Sequence, residues 1–125
     1  MSLPSKYHLA NTKNESNAAT LLRNLYAEES FTDVTITCDD GMMLKAHKIV
    51  LSASSPVFNR ILMQYPDNNP LIYFGDTSYK HIDFILQYAY AGEVSVEEKE
   101  LKQFMKAVNK FKINGLYSEK TQKLI

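Results

Sequence analysis

The sequence predicts one mixed domain of the α+β class, a helical cluster flanked by a small sheet. Three observations point there. Hydrophobic residues recur at i, i+3, i+4 and i+7 in several separate windows, the spacing of one helix face. Phe31–Cys38 instead alternates with period two and runs into turn residues, the mark of a hairpin. The chain has 125 residues with 45% hydrophobic, 22% charged and 11% aromatic content, which suits a single packed core.

The elements follow in order. Residues 1–17 are a polar arm with an apolar island at Tyr7 and Leu9, whose alternation reads as a short strand or extended segment. The folded domain is expected over 18–118. Its first helix starts at Ala18 and carries Leu21, Leu22, Leu25 and Tyr26 on one face. In the strand that follows, Val34, Ile36 and Cys38 share one side and Thr35 and Thr37 the other. Asp39-Asp40-Gly41 turns the chain and Met42–Ala46 returns as the second arm.

His47–Ala53 is a short apolar helix. Ser55-Pro56 then opens another, with Ser as N-cap and Pro at the first helical position, and Pro66 stops it. Leu71–Phe74 is continuously apolar, as suits a strand covered on both faces. Asp76-Thr77-Ser78 offers N-caps to a helix carrying Tyr79, Ile82, Ile85, Leu86 and Ala89, closed by Gly92. Glu93–Val96 is extended. Ser95 and Glu98 have the spacing of a capping box for a helix of Leu101, Phe104, Met105, Val108 and Phe111, with Gly115 at its end and Leu116-Tyr117 as a last turn. Residues 119–125 form a tail or the start of a linker.

Charge and chemistry narrow the function. Fourteen Lys+Arg offset fourteen Asp+Glu, so the positive excess that phosphate binding needs is absent, and no direct nucleic-acid contact is expected. The lysines from Lys99 onward read as the solvated side of an amphipathic helix. Cys38 is the single cysteine, the N-terminus lacks an apolar signal region, and no apolar run is long enough to cross a membrane; the chain reads as intracellular, and the Asn14-Glu15-Ser16 sequon as idle. His8, His47 and His81 fit no metal-ligand spacing, no Gly-x-Ser-x-Gly elbow surrounds Ser52, Ser54 or Ser55, and the four glycines stand apart. Neither an enzyme nor a cofactor or metal is expected. A neutral chain rich in Tyr, Phe and Met also lacks the charge that keeps molecules apart, so self-association is open.

Phe31-Thr32-Asp33-Val34, followed by Leu44-Lys45-Ala46-His47-Lys48 and the run to Phe58, resembles a BTB/POZ domain. Tyr88-Ala89-Tyr90-Ala91-Gly92-Glu93-Val94 is similar to that family's helix end, and Ala107–Leu116 to its closing helices. The matches keep order over about residues 7–118. The Lys-Ala-His-Lys and Gly-Glu-Val forms look most like the Tramtrack-type subgroup of arthropod transcription regulators, although Ala10-Asn11-Thr12 stands where that subgroup usually has Trp-Asn-Asn.

The resemblance implies a protein–protein interaction module, an obligate homodimer in the nucleus, serving a transcription or chromatin regulator whose DNA-binding part lies outside this domain. Partners would be a second copy, other BTB proteins and co-regulators. Tyr7 and Leu9 would form a strand exchanged onto Val94 and Val96 of the other subunit, with Leu21, Leu22, Leu25 and Tyr26 in the seam and Asp33 and Lys48 in a charged pocket beside it. The residues also allow plainer roles: Asp33 as a turn or cap acceptor, His47 as a buried hydrogen-bonded side chain, the leucines as core. The alternative function is an adaptor for a cullin-type ubiquitin ligase, but Ile61-Leu62-Met63-Gln64-Tyr65 lacks the Glu such adaptors place there.

Overall fold

A computed structural model describes residues 6–10 and 17–117, with side chains in the first helix described from Thr20. Among these residues the order is α1 (Asn17–Glu28), β1 (Val34–Cys38), β2 (Met43–Ala46), α2 (Lys48–Ser54), α3 (Pro56–Gln64), β3 (Leu71–Phe74), α4 (Tyr79–Ala91) and α5 (Glu98–Phe111). The helices gather around a three-stranded sheet of order β2-β1-β3, the α+β arrangement the periodicities imply.

β1 and β2 pair antiparallel with Ile36 opposite Leu44, and Gly41 takes the φ of +80° the turn demands. The N–H of Cys38 donates to the Met42 carbonyl at 2.9 Å and that of Gly41 to the Cys38 carbonyl at 3.0 Å, closing the turn. Alternation does its work here: Val34, Ile36 and Cys38 are buried, while Thr35 and Thr37 are partly exposed. The strand begins three residues later than the pattern, because Phe31 takes a left-handed φ of +59° and turns out to solvent.

The core centres on Phe58, Phe74 and Phe111, with Phe58 stacked on Phe111 at 4.9 Å and Phe74 edge-on to it at 4.8 Å. Ile36, Leu51, Ile82, Leu86 and Val108 close around them. Ser55 joins three elements. Its hydroxyl accepts the Phe58 N–H at 3.1 Å as the N-cap of α3 and donates to the Phe111 carbonyl at 2.5 Å. Gly92 closes α4 in the left-handed conformation, φ +81°.

Three expectations need correction. β3 is an edge strand, not one covered on both faces: Leu71 and Tyr73 are 62% and 63% exposed, while Phe74 is buried. The capping box does not form. α5 starts at Glu98 with Glu97 as N-cap, and Ser95 stays exposed, because the chain enters the helix two residues later than Ser95 would require. The same helix ends at Lys112, left-handed at φ +51°, before Gly115 is reached. Ser78 is the N-cap of α4 but makes no capping bond; its hydroxyl faces His81 Nδ1 at 2.8 Å, and Asp40 from the hairpin turn accepts the Tyr79 N–H at 3.3 Å. Leu116 and Tyr117 make a single turn held by the Tyr117 N–H on the Ile113 carbonyl at 2.8 Å. The tail at 119–125 and the Asn14–Ser16 sequon lie outside the described residues.

Candidate interaction surface

Tyr26 of the stripe ties α1 to α4 by hydrogen bonding and stacking. Tyr26 stacks on Tyr90 of α4 at 4.6 Å, and its hydroxyl donates to Asp83 Oδ1 at 2.9 Å. Asp83 also accepts from Gln87 Nε2 at 2.8 Å. Burial and the neighbouring Asp83 carboxylate hold the Tyr26 phenol well above its ordinary range, so the bond is a neutral hydroxyl on a carboxylate. Tyr90 passes the network on. Its hydroxyl receives the His47 main-chain N–H at 3.0 Å and meets His47 Nδ1 at 2.5 Å, while His47 Nε2 lies 2.8 Å from the Ser30 carbonyl. A carbonyl only accepts, so Nε2 carries the proton and the Tyr90 hydroxyl donates to Nδ1. His47 is therefore a buried, fully bonded side chain.

With Tyr26 committed inside the chain, the leucines divide. Leu22 packs against the core, Leu25 is half-buried, and Leu21 is 55% exposed. Next to Leu22 runs a groove of about 290 Å³ lined by Ile49, Val50, Ala53, Ser54 and Ala89, joining α1 to α2 and α4. Ile49 is 74% exposed. It belongs with the candidate residues, beside those that the stripe on α1 names. A signal existed: Ile49, Val50 and Leu51 are consecutive on a seven-residue helix, successive residues are about 100° apart, and three of them cannot all face one core.

Asp33 and Lys48 are brought together, but through the main chain. Asp33 Oδ1 accepts the Lys48 backbone N–H at 2.7 Å at the start of α2, and Lys48 Nζ donates to the Asp67 carbonyl at 2.5 Å. Asp33 thus acts as an N-cap from outside its helix. Tyr7 and Leu9 are 82% and 89% exposed in a segment without secondary structure. Val94 and Val96 are half-buried in an extended connection that pairs with no strand among the described residues. Val94 also lines a cleft of about 520 Å³ with Arg23, Tyr26, Gln87, Tyr90 and Glu93, so α1 and the 93–95 segment border one hollow.

Cys38 is buried, and burial together with the Asp40 and Asp39 carboxylates pushes its thiol up to about 11. Lys99, Lys102, Lys106 and Lys110 form the exposed side of α5, where Lys110 pairs with Asp76 and Lys99 lies 3.5 Å from Glu97. No helix among the described residues is long and apolar enough to cross a membrane.

A family model of the BTB/POZ domain matches residues 22–125. The chain is 42% identical over 116 residues to Longitudinals lacking protein-like of Drosophila melanogaster, covering 93% of this chain and 91% of that protein. It is 38% identical over 102 residues to Protein tramtrack, alpha isoform, from the same fly, covering 82% of this chain but 12% of that protein. Among solved structures the BTB domain of zebrafish PATZ1 shares the fold, with a TM-score of 0.77 at 21% identity over 95% of this chain and 97% of that one.

Proposed function

The chain belongs to the BTB/POZ domain family, a protein-interaction fold, and on that premise we propose that it is the homodimerising module of a nuclear transcription or chromatin regulator. One observation carries the reading. Ile49 lines the groove between α1 and α2 and stands exposed, as does Leu21 on α1 next to the groove's Leu22, an apolar surface that the described residues leave uncovered. Isolated apolar residues are ordinary on a surface, but an apolar groove flanked by two large aliphatic side chains marks an interface. A two-fold axis beside α1 sets Leu21, Leu22 and Leu25 of each copy against their equivalents. The arm of one copy, through Tyr7 and Leu9, lies on Val94 and Val96 of the other and so covers the two most exposed of these residues. Such an interface belongs to the obligate class, on the order of 2,000 Å² or more. Asp33 and Lys48 sit at its margin and shape the start of α2.

Dimerisation serves regulation by avidity. Two linked DNA-binding modules hold clustered sites far longer than one, with no base contact from this domain. Longitudinals lacking protein-like is spanned over 91% of its length, whereas tramtrack is spanned over 12%, so the domain occurs both nearly alone and as a small part of a long chain. In the first setting, heterotypic pairing with a longer BTB protein brings the DNA-binding part.

Light scattering across nanomolar to micromolar concentrations tests the reading, with a mass twice that of the chain expected. Leu25→Asp buries an unpaired charge in the seam, costing roughly 3–5 kcal/mol, and halves the mass or unfolds the protein. Ile49→Lys changes a side chain already exposed in the single chain, so it leaves a folded monomer. A wild-type monomer at all concentrations, or an Ile49→Lys protein that dimerises as tightly as wild type, overturns the assignment.

A further inference from the structure

We propose that Ser95 is a phosphorylation site for a serine kinase that reads acidic residues C-terminal to its target, and that Arg23 holds the resulting phosphate across the cleft. Ser95-Val96-Glu97-Glu98 has the spacing of a capping box, yet no box forms. Ser95 is left exposed, with carboxylates two and three residues on. Charge patterns of this kind are what such kinases select. The structure picks Ser95 from its rivals. Four hydroxyls of the chain have an acidic residue three places on: Thr12, Ser30, Thr37 and Ser95. Thr12 lies outside the described residues. The Thr37 hydroxyl is buried within β1. Ser30 is tied into the turn after α1, its N–H on the Leu25 carbonyl at 2.9 Å and its own carbonyl 2.8 Å from His47 Nε2. Residues 93–96, by contrast, are an open connection that pairs with no strand among the described residues, a form in which another protein can take up the main chain.

The cleft supplies the cation. Ser95 and Arg23 line the same hollow of about 520 Å³, and Arg23 is the one cation in its lining. The guanidinium donates to Thr20 Oγ1 at 3.5 Å and joins no ion pair among the described residues. A phosphoserine carries a charge of about −1.5 to −2 and three strong acceptor oxygens. The planar fork of Arg23 can meet two of those oxygens with parallel N–H···O bonds, which joins the 93–96 connection to α1. Glu93, Glu97 and Glu98 oppose the added charge, but all three are exposed, and water and salt screen their repulsion. Every group involved belongs to one chain, so the site does not depend on the α1–α2 seam.

The full chain is incubated with casein kinase II and ATP, and the product is read by intact mass and peptide mapping. The γ-phosphoryl passes to Ser95 Oγ as its bond to the bridging oxygen breaks, ADP leaves, and the hydroxyl proton goes to the kinase's base. One phosphoryl group at Ser95 is expected. Ser95→Ala takes none in that segment, and Glu98→Gln lowers the initial rate about tenfold, the worth of one charge-assisted hydrogen bond. Ile49→Lys is treated alongside, so that cover by a second copy is told apart from the absence of a site. By phosphorus NMR the phosphate titrates about half a pH unit lower in the wild-type protein than in Arg23→Gln, as an exposed ion pair provides. Phosphate at Ser95 in Ile49→Lys alone upholds the site and shows that a second copy covers it. No phosphate at Ser95 in either protein overturns the site, as does an undiminished rate in Glu98→Gln. Equal titration in the wild type and Arg23→Gln overturns the pairing with Arg23.

Discussion

The Asp33 carboxylate receives the Lys48 N–H at 2.7 Å, one of the donors that the first turn of α2 leaves without an intrahelical partner. His47, the N-cap of that helix, makes no side-chain capping bond of its own, because both ring nitrogens face Tyr90 and Ser30. Asp33→Ala is therefore expected to cost about 1 kcal/mol in urea unfolding, and Asp33→Asn, which keeps an acceptor oxygen, less than half as much. Alkali tests the buried hydroxyl and thiol. Burial raises Cys38 from 9.0 to about 11 and Tyr90 from 10.0 to about 12, so the folded state holds these protons more tightly than the unfolded chain. A raised group gives stability that is whole below the unfolded value and lost above it. The urea midpoint should hold up to pH 9 and fall as pH rises through 11 to 12. The capping role of Asp33 and the buried histidine are both among the roles the sequence allows. That Asp33 accepts from a main-chain N–H, and not from the Lys48 ammonium, depends on where the α1–β1 connection crosses the start of α2.

Individual elements show where periodicity suffices. The hairpin turn, the Ser55-Pro56 start of α3 and the Gly92 stop of α4 all depend on residues within a few positions of one another, and all appear where the sequence puts them. Ser95-x-x-Glu98 has the right spacing too, yet Glu97 is the N-cap, because the path from α4 holds Val94 and Val96 against the core and delays the helix. The other end of α5 stops at Lys112 for a similar reason: Ile113 is drawn fully into the core, and the chain must reverse through a left-handed residue to place it there. A Cβ in that conformation costs roughly 1 kcal/mol. Lys112→Gly should accordingly raise stability by about 0.5–1 kcal/mol in thermal or urea unfolding, somewhat offset by the freer unfolded chain. An unchanged or lower midpoint would show that the lysine stem packs usefully at this position.

For the whole molecule, the question is what remains uncovered when nineteen hydrophobic residues have closed into one core. Leu21 and Ile49 are among the large apolar side chains left exposed, as are Leu71 and Tyr73 at the edge strand. If the α1–α2 surface is the seam of an obligate dimer, folding and association are linked. The melting temperature should then rise with protein concentration and stop doing so in Ile49→Lys. A concentration-independent value in the wild-type protein would separate stability from association and count against the seam. The fold class, the family and the candidate stripe on α1 are all legible in the linear sequence, since amphipathic spacing and turn chemistry are local properties of a chain. The division of that stripe is not. Leu21 and Leu22 are neighbours with the same side chain, and only the approach of α4, some sixty residues on, covers one and leaves the other in water. The exposure of β3 has the same cause. Four consecutive apolar residues say that a strand is buried somewhere, but the number of its faces that find cover is decided by what packs beside it, and that is a matter of tertiary contact alone.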